Sequence, residues 1–81
     1  MQSQIIQEIT RILHDHLLID TTYFTPDTVL TEQGGMGSLD KIELLAKVES
    51  HFNVSYLSDD IHDLHTIRDI AERVEAKIGH K

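Results

Sequence analysis

The chain has no cysteine and no tryptophan, a single proline, and only four glycines in 81 residues. Without cysteine there is no disulfide framework, no thiolate zinc site and no thiol nucleophile, so any thiol chemistry must come from a prosthetic group. No apolar run approaches the roughly 18 residues that span a membrane, and the first residues lack the basic-then-apolar order of a secretory leader. These absences predict a soluble, cytoplasmic protein without membrane insertion. Bases are scarce as well: seven Lys and Arg stand against fourteen Asp and Glu, a formal charge of −7. Residues 1–37 hold five acids and one base, residues 38–63 six and two, and residues 64–81 three and four, so the negative charge lies in the first two segments. Binding nucleic acid or an anionic membrane needs clustered cations, and this distribution argues against both. A basic protein surface is the natural counterpart.

What is present is helical periodicity. A chain this short buries only about 60% of its unfolded surface, which fits one domain over residues 1–81 with one core. Ile5, Ile9, Ile12 and Leu13 recur at i, i+4, i+7 and i+8 with Gln7, Glu8 and Arg11 between them, predicting a first helix over about residues 3–17. From Asp20 to Gly37 no period is visible, and a connection of that length is usually functional. Phe24, Val29 and Leu30 are the residues expected to pin it to the core. A second helix follows from about Leu39 to Phe52, with Ile42, Leu45, Val48 and Phe52 as its buried stripe and Asn53 as its stop.

Ser58-Asp59-Asp60-Ile61 supplies capping oxygens for a brief third helix ending near Leu64. Thr66 reads as the N-cap of a last helix, with Asp69 completing a near capping box and Ile67, Ile70, Ala71, Val74 and Ile78 as its stripe. Val54 to Leu57 is expected to be an extended link rather than a strand. The fold class predicted is all-α: a small, monomeric helical bundle of three main helices plus one short helix, with a long loop after helix one.

Three of the four glycines fall within Gly34-Gly35-Met36-Gly37, directly before Ser38-Leu39-Asp40-Lys41-Ile42-Glu43-Leu44-Leu45. Glycine tolerates positive φ and close approach of another backbone, and the helix begins at once after the serine. The amides of a first helical turn lack intrahelical partners and the macrodipole is positive there, so an anion esterified to Ser38 is stabilised by the fold. Serine is also a preferred N-cap, which is the plainer role for Ser38 when the segment is taken alone.

These residues resemble the acyl carrier protein family, whose motif serine receives 4'-phosphopantetheine from coenzyme A. The similarity extends upstream through Thr25-Pro26-Asp27-Thr28-Val29-Leu30 and downstream through Val48-Glu49, Phe52-Asn53-Val54 and Thr66-Ile67-Arg68-Asp69-Ile70. It implies a carrier rather than an enzyme, with Ser38 as the cofactor-binding residue. Acyl intermediates of fatty-acid or polyketide type would be held as thioesters on the 4'-phosphopantetheine arm. The implied partners are a phosphopantetheinyl transferase and acyl-transferring, synthase or ligase enzymes with basic docking surfaces. The resemblance further implies that the apolar interior, with Ile9, Leu45, Val48, Phe52, Ile61, Ile70 and Val74, could sequester an aliphatic cargo. An aminoacyl or peptidyl carrier, and a carrier-like interaction subunit without a prosthetic group, are the alternatives. Two positions depart from the family pattern: Gly37 stands where Asp is usual, and Gly34 where an apolar residue is common. Lys47, Ser50 and His51 make the second helix less acidic than in fatty-acid carriers, which points to a specialised member.

Asp40, Glu43 and Lys47 share one side of the second helix, either as a solvated face with a weak Glu43–Lys47 pair or as charges that steer basic partners. Leu39, Ile42 and Ala46 form a second apolar line, expected to place Leu39 and Ala46 partly in solvent and Ile42 largely in the core. The partner-binding residues are thus Leu39, Asp40, Glu43 and Ala46. Of six histidines only His62 and His65 have a spacing that can share a helical face, and two ligands fall short of the three or four a zinc site needs, so a small regulatory or metal-responsive helical protein is the more distant alternative, resting on the histidines alone. Nothing orients a histidine base on a serine as hydrolysis requires.

Overall fold

The computed structural model describes residues 2–32 and 35–79. Three helices, α1 (Gln2–Asp15), α2 (Ser38–Phe52) and α3 (Ile67–Gly79), are joined by the long loop and by a segment containing a 3-10 turn at Ser58–Asp60. Among the described residues there is no strand, only an isolated antiparallel bridge between Val29 and Thr66. The all-α architecture with one brief third element is therefore as the sequence implies. Its first helix ends earlier than the predicted residue 17. Leu18 takes a φ of 56°, and the Ile19 amide turns back to the Leu13 carbonyl at 3.0 Å.

Period alone explains α1 and α3. Ile5, Ile9, Ile12 and Leu13 of α1 are buried, as are Ile67, Ile70, Ala71 and Val74 of α3, and these two helices form the most extensive helix pair. α2 runs antiparallel to α1: Gln4 and Ile5 in the first turn of α1 line a hollow with Phe52 at the end of α2, and Glu8, midway along α1, pairs with His51 at 3.0 Å. Ile12 and His16 share a cleft of about 360 Å³ with Ala46, Lys47, Ser50 and His51. No helix among the described residues is long and apolar enough to cross a membrane.

The buried face of α2 differs from the expected stripe. Lys41, Leu44, Leu45 and Val48 are buried, whereas Ile42 is 47% exposed and Phe52 is only partly covered. The apolar spacing at α2 fits two registers about one residue apart, and the lysine at 41 conceals the one the fold uses. Ile61, expected in the core lining, is likewise only partly buried. α2 ends as predicted at Asn53, which adopts φ 55° and ψ 46° and returns its amide to the Glu49 carbonyl.

The long loop is held against the start of α3. The Arg68 amide donates to the Pro26 carbonyl and the Leu30 amide to the His65 carbonyl, both at 2.9 Å. The Arg68 guanidinium meets the Asp27 carboxylate at 2.8 Å. At Thr66 the capping box is complete: the Asp69 amide donates to the Thr66 hydroxyl and the Thr66 amide to the Asp69 carboxylate, at 3.1 and 3.2 Å. Leu30 is fully buried and Phe24 packs on the core, as expected, and Met36 adds a pin that the sequence reading missed. The Met36 amide donates to the Leu30 carbonyl at 3.0 Å, so the chain enters α2 from a fixed point.

Candidate functional site

Gly37, not Ser38, is the N-cap of α2. Its backbone is extended (φ −82°, ψ 174°), and its carbonyl accepts from the Lys41 amide at 3.1 Å. Lacking a side chain, Gly37 leaves the first-turn amides uncapped. The Asp40 carboxylate instead reaches back to the Gly37 amide at 3.4 Å, a long and weak bond. Ser38 is consequently the first helical residue, exposed, and its hydroxyl makes no hydrogen bond among the described residues. The capping role open to Ser38 in the sequence is thus filled by its neighbour.

The surroundings of the hydroxyl are open. A Cβ placed on Gly37 or on Gly35 would meet nothing within 4 Å. Gly35 has a φ of 69°, a conformation in which glycine avoids the strain that a side chain would bring. Gly34, the other departure from the family pattern, lies outside the described residues. At the helix start, the amides of Ser38, Leu39 and Asp40 have no intrahelical acceptor. An exposed, uncommitted hydroxyl beside three free amide donors at the positive end of a helix suits a phosphodiester ester.

Next to Ser38 lies an apolar line in solvent. Leu39 is 81% exposed, and Ala46 is exposed as expected. Ile42 joins them at 47% exposed, which corrects the expectation of burial: on the helix it stands three residues from Leu39 and four from Ala46, spacings that align the three. Asp40 and Glu43 are exposed on the same part of α2. The structure thus places Leu39, Asp40, Glu43 and Ala46 in solvent and adds Ile42, which the sequence had put in the core, to their exposed line. No group of three or more His, Asp or Glu side chains among the described residues is arranged to hold a metal ion.

Residues 4–74 match the family described as the phosphopantetheine attachment site. The chain belongs to the acyl carrier protein family. It is 27% identical over 78 residues to an acyl carrier protein of Thermosynechococcus vestitus, with 96% of each chain covered. The corresponding protein of Thermotoga maritima is 28% identical over 78 residues, again with 96% of each chain covered. A solved structure of the acyl carrier protein from Enterococcus faecalis superimposes with a TM-score of 0.74 at 14% identity, covering 95% of this chain and 98% of that one. That likeness shows the shared fold. Membership makes the chain a carrier rather than a catalyst, with covalent 4'-phosphopantetheine as its cofactor and acyl-handling enzymes as the class of protein it meets.

Proposed function

We propose that Ser38 is the residue esterified by 4'-phosphopantetheine, and that the chain, acting as one carrier domain over residues 1–81, holds acyl groups as thioesters on that arm. The observation that carries this reading is the free, exposed Ser38 hydroxyl at the first position of α2. The arm supplies the thiol that a cysteine-free chain lacks. The chain's own residues supply the attachment oxygen, the unpaired amides that face the phosphodiester, and a landing surface for the enzymes that load and unload it. That surface has an apolar centre at Leu39, Ile42 and Ala46 with Asp40 and Glu43 beside it, and it fits partners whose docking faces carry cations. A phosphopantetheinyl transferase is the first such partner, and synthases or ligases that exchange acyl groups are the later ones.

Incubation with coenzyme A and a transferase, followed by intact mass, tests the assignment. Wild type should gain one phosphopantetheinyl group, and Ser38→Ala should gain none while keeping its helicity, since Ser38 makes no hydrogen bond through its hydroxyl among the described residues. Absence of any gain with both a fatty-acid-type and a broad-specificity transferase, and in protein from the native host, would overturn it.

A further inference from the structure

Lys41 is the anomaly of α2. It is only 7% exposed, in a helix whose leucine and isoleucine at 39 and 42 stand in water. Burial of a lysine is rare unless its charge is paired. Yet Lys41 makes no side-chain hydrogen bond or ion pair with any described residue. No buried side-chain nitrogen or oxygen among the described residues lacks a partner, so the ammonium itself must touch solvent while its stem is covered.

Its position says where that ammonium is useful. Lys41 follows Ser38 by three residues, a spacing that puts two side chains on one face, and helical side chains lean back over the preceding turn. Its own amide is tied to the Gly37 carbonyl at 3.1 Å, which fixes the backbone of that turn. A cation beside the positive end of a helix is unfavourable unless an anion joins it.

We propose that Lys41 is the built-in counter-cation of the phosphodiester on Ser38, holding the root of the arm together with the free amides of the first turn. The proposal rests on Ser38 as the attachment residue. One negative charge on the phosphodiester is matched by one ammonium, which donates to a non-bridging oxygen, and no bond is made or broken. The loaded form then gives the ammonium an anion to pair with, where in the unmodified form it makes no ion pair with any described residue, the first-turn Asp40 carboxylate being turned to the Gly37 amide.

The test compares unmodified and loaded protein for wild type, Lys41→Met, which keeps the stem and removes the charge, and Lys41→Arg, which keeps the charge. Intact mass first confirms loading. Failure of wild type to load counts against Ser38 and leaves a different signature from failure of the lysine's role. In low-salt chemical denaturation, loading should raise the wild-type folded-to-unfolded ratio by roughly two- to fivefold, the size of a charge effect at a helix end. The same gain should appear in Lys41→Arg, be lost in Lys41→Met and shrink with salt. In the loaded wild type, the phosphorus NMR resonance should also move with salt and differ from that of Lys41→Met. Equal gains in wild type and Lys41→Met, with the same phosphorus shift, would overturn the proposal. If Lys41→Met fails to fold, Lys41→Gln replaces it in both measurements, and equal gains with the same phosphorus shift again overturn the proposal.

Discussion

α1 and α2 differ by one residue in length, 14 against 15, and lie antiparallel, yet they sort their side chains in opposite ways. α1 buries Ile5, Ile9, Ile12 and Leu13 and turns Gln4, Gln7, Arg11 and His14 to water, as an amphipathic period dictates. α2 buries a lysine and leaves Leu39, Ile42 and Ala46 exposed. The first helix is shaped by the needs of the core alone. The second answers to the core on one face only; the apolar line on the other gives the isolated protein no stability and is the surface proposed for docking.

The comparison breaks most visibly under alanine. Leu13→Ala on α1 and Leu44→Ala on α2 each remove a fully buried side chain and should cost about 2–5 kcal/mol, whereas Leu39→Ala should fall within about 0.5 kcal/mol of wild type. Phe52→Ala should cost less than the roughly 3–5 kcal/mol of a fully buried ring, since Phe52 is only partly covered. Chemical-denaturation midpoints measure all four. A Leu39→Ala cost equal to that of Leu44→Ala would mean that α2 has no outward apolar face.

Charge sharpens the same contrast at a smaller scale. Glu43→Lys should slow loading and acyl transfer about tenfold at low salt, with the deficit closing as salt rises, because steering acts on encounter rates over a Debye length. Stability should change by less than about 0.5 kcal/mol. Glu43 is a cleaner probe than Asp40, whose carboxylate also receives the Gly37 amide at the helix start. The equivalent reversal on α1, Glu8→Lys, removes the His51 pair but should leave transfer untouched. Rates for Glu43→Lys equal to wild type across salt would remove the docking role.

The same two helices show how much was legible in the sequence. For α1 and α3 the period of isoleucines and valines names the buried residues, and at Thr66 and Asn53 the local chemistry of caps names the boundaries. At α2 the period was ambiguous, because the exposed line of Leu39, Ile42 and Ala46 carries the same residue types as the core face. Hence Ile42 was expected inside and lies outside, while the buried face takes in Lys41, which the apolar period does not mark. Met36 escaped notice for a different reason: an isolated apolar residue between glycines has no period to join. Ser38 was recognisable through its flanking motif, but its standing as first helical residue rather than cap depended on the backbone of Gly37.

The smallest effect concerns how each helix is held. α1 sits by apolar burial, which does not titrate; the chain that delivers Ser38 to α2 is fastened to α3 partly by the Asp27–Arg68 pair at 2.8 Å. Hydrogen bonding from Arg68 lowers the Asp27 carboxyl below its ordinary 3.8. A depressed carboxylate contributes stability that is fully present above the unfolded value and disappears as pH falls through the folded one. Wild type should thus exceed Asp27→Asn in stability at neutral pH, and the difference should close as the pH drops below 3.8. Salt should also narrow it, since both partners are substantially exposed. By contrast, the deficit of Leu13→Ala should persist across the same titration, in any range where the protein still unfolds in two states. An Asp27→Asn difference that stays constant down to acid pH would show that the loop is fastened by its backbone bonds to His65 and Pro26 and that the ion pair adds nothing.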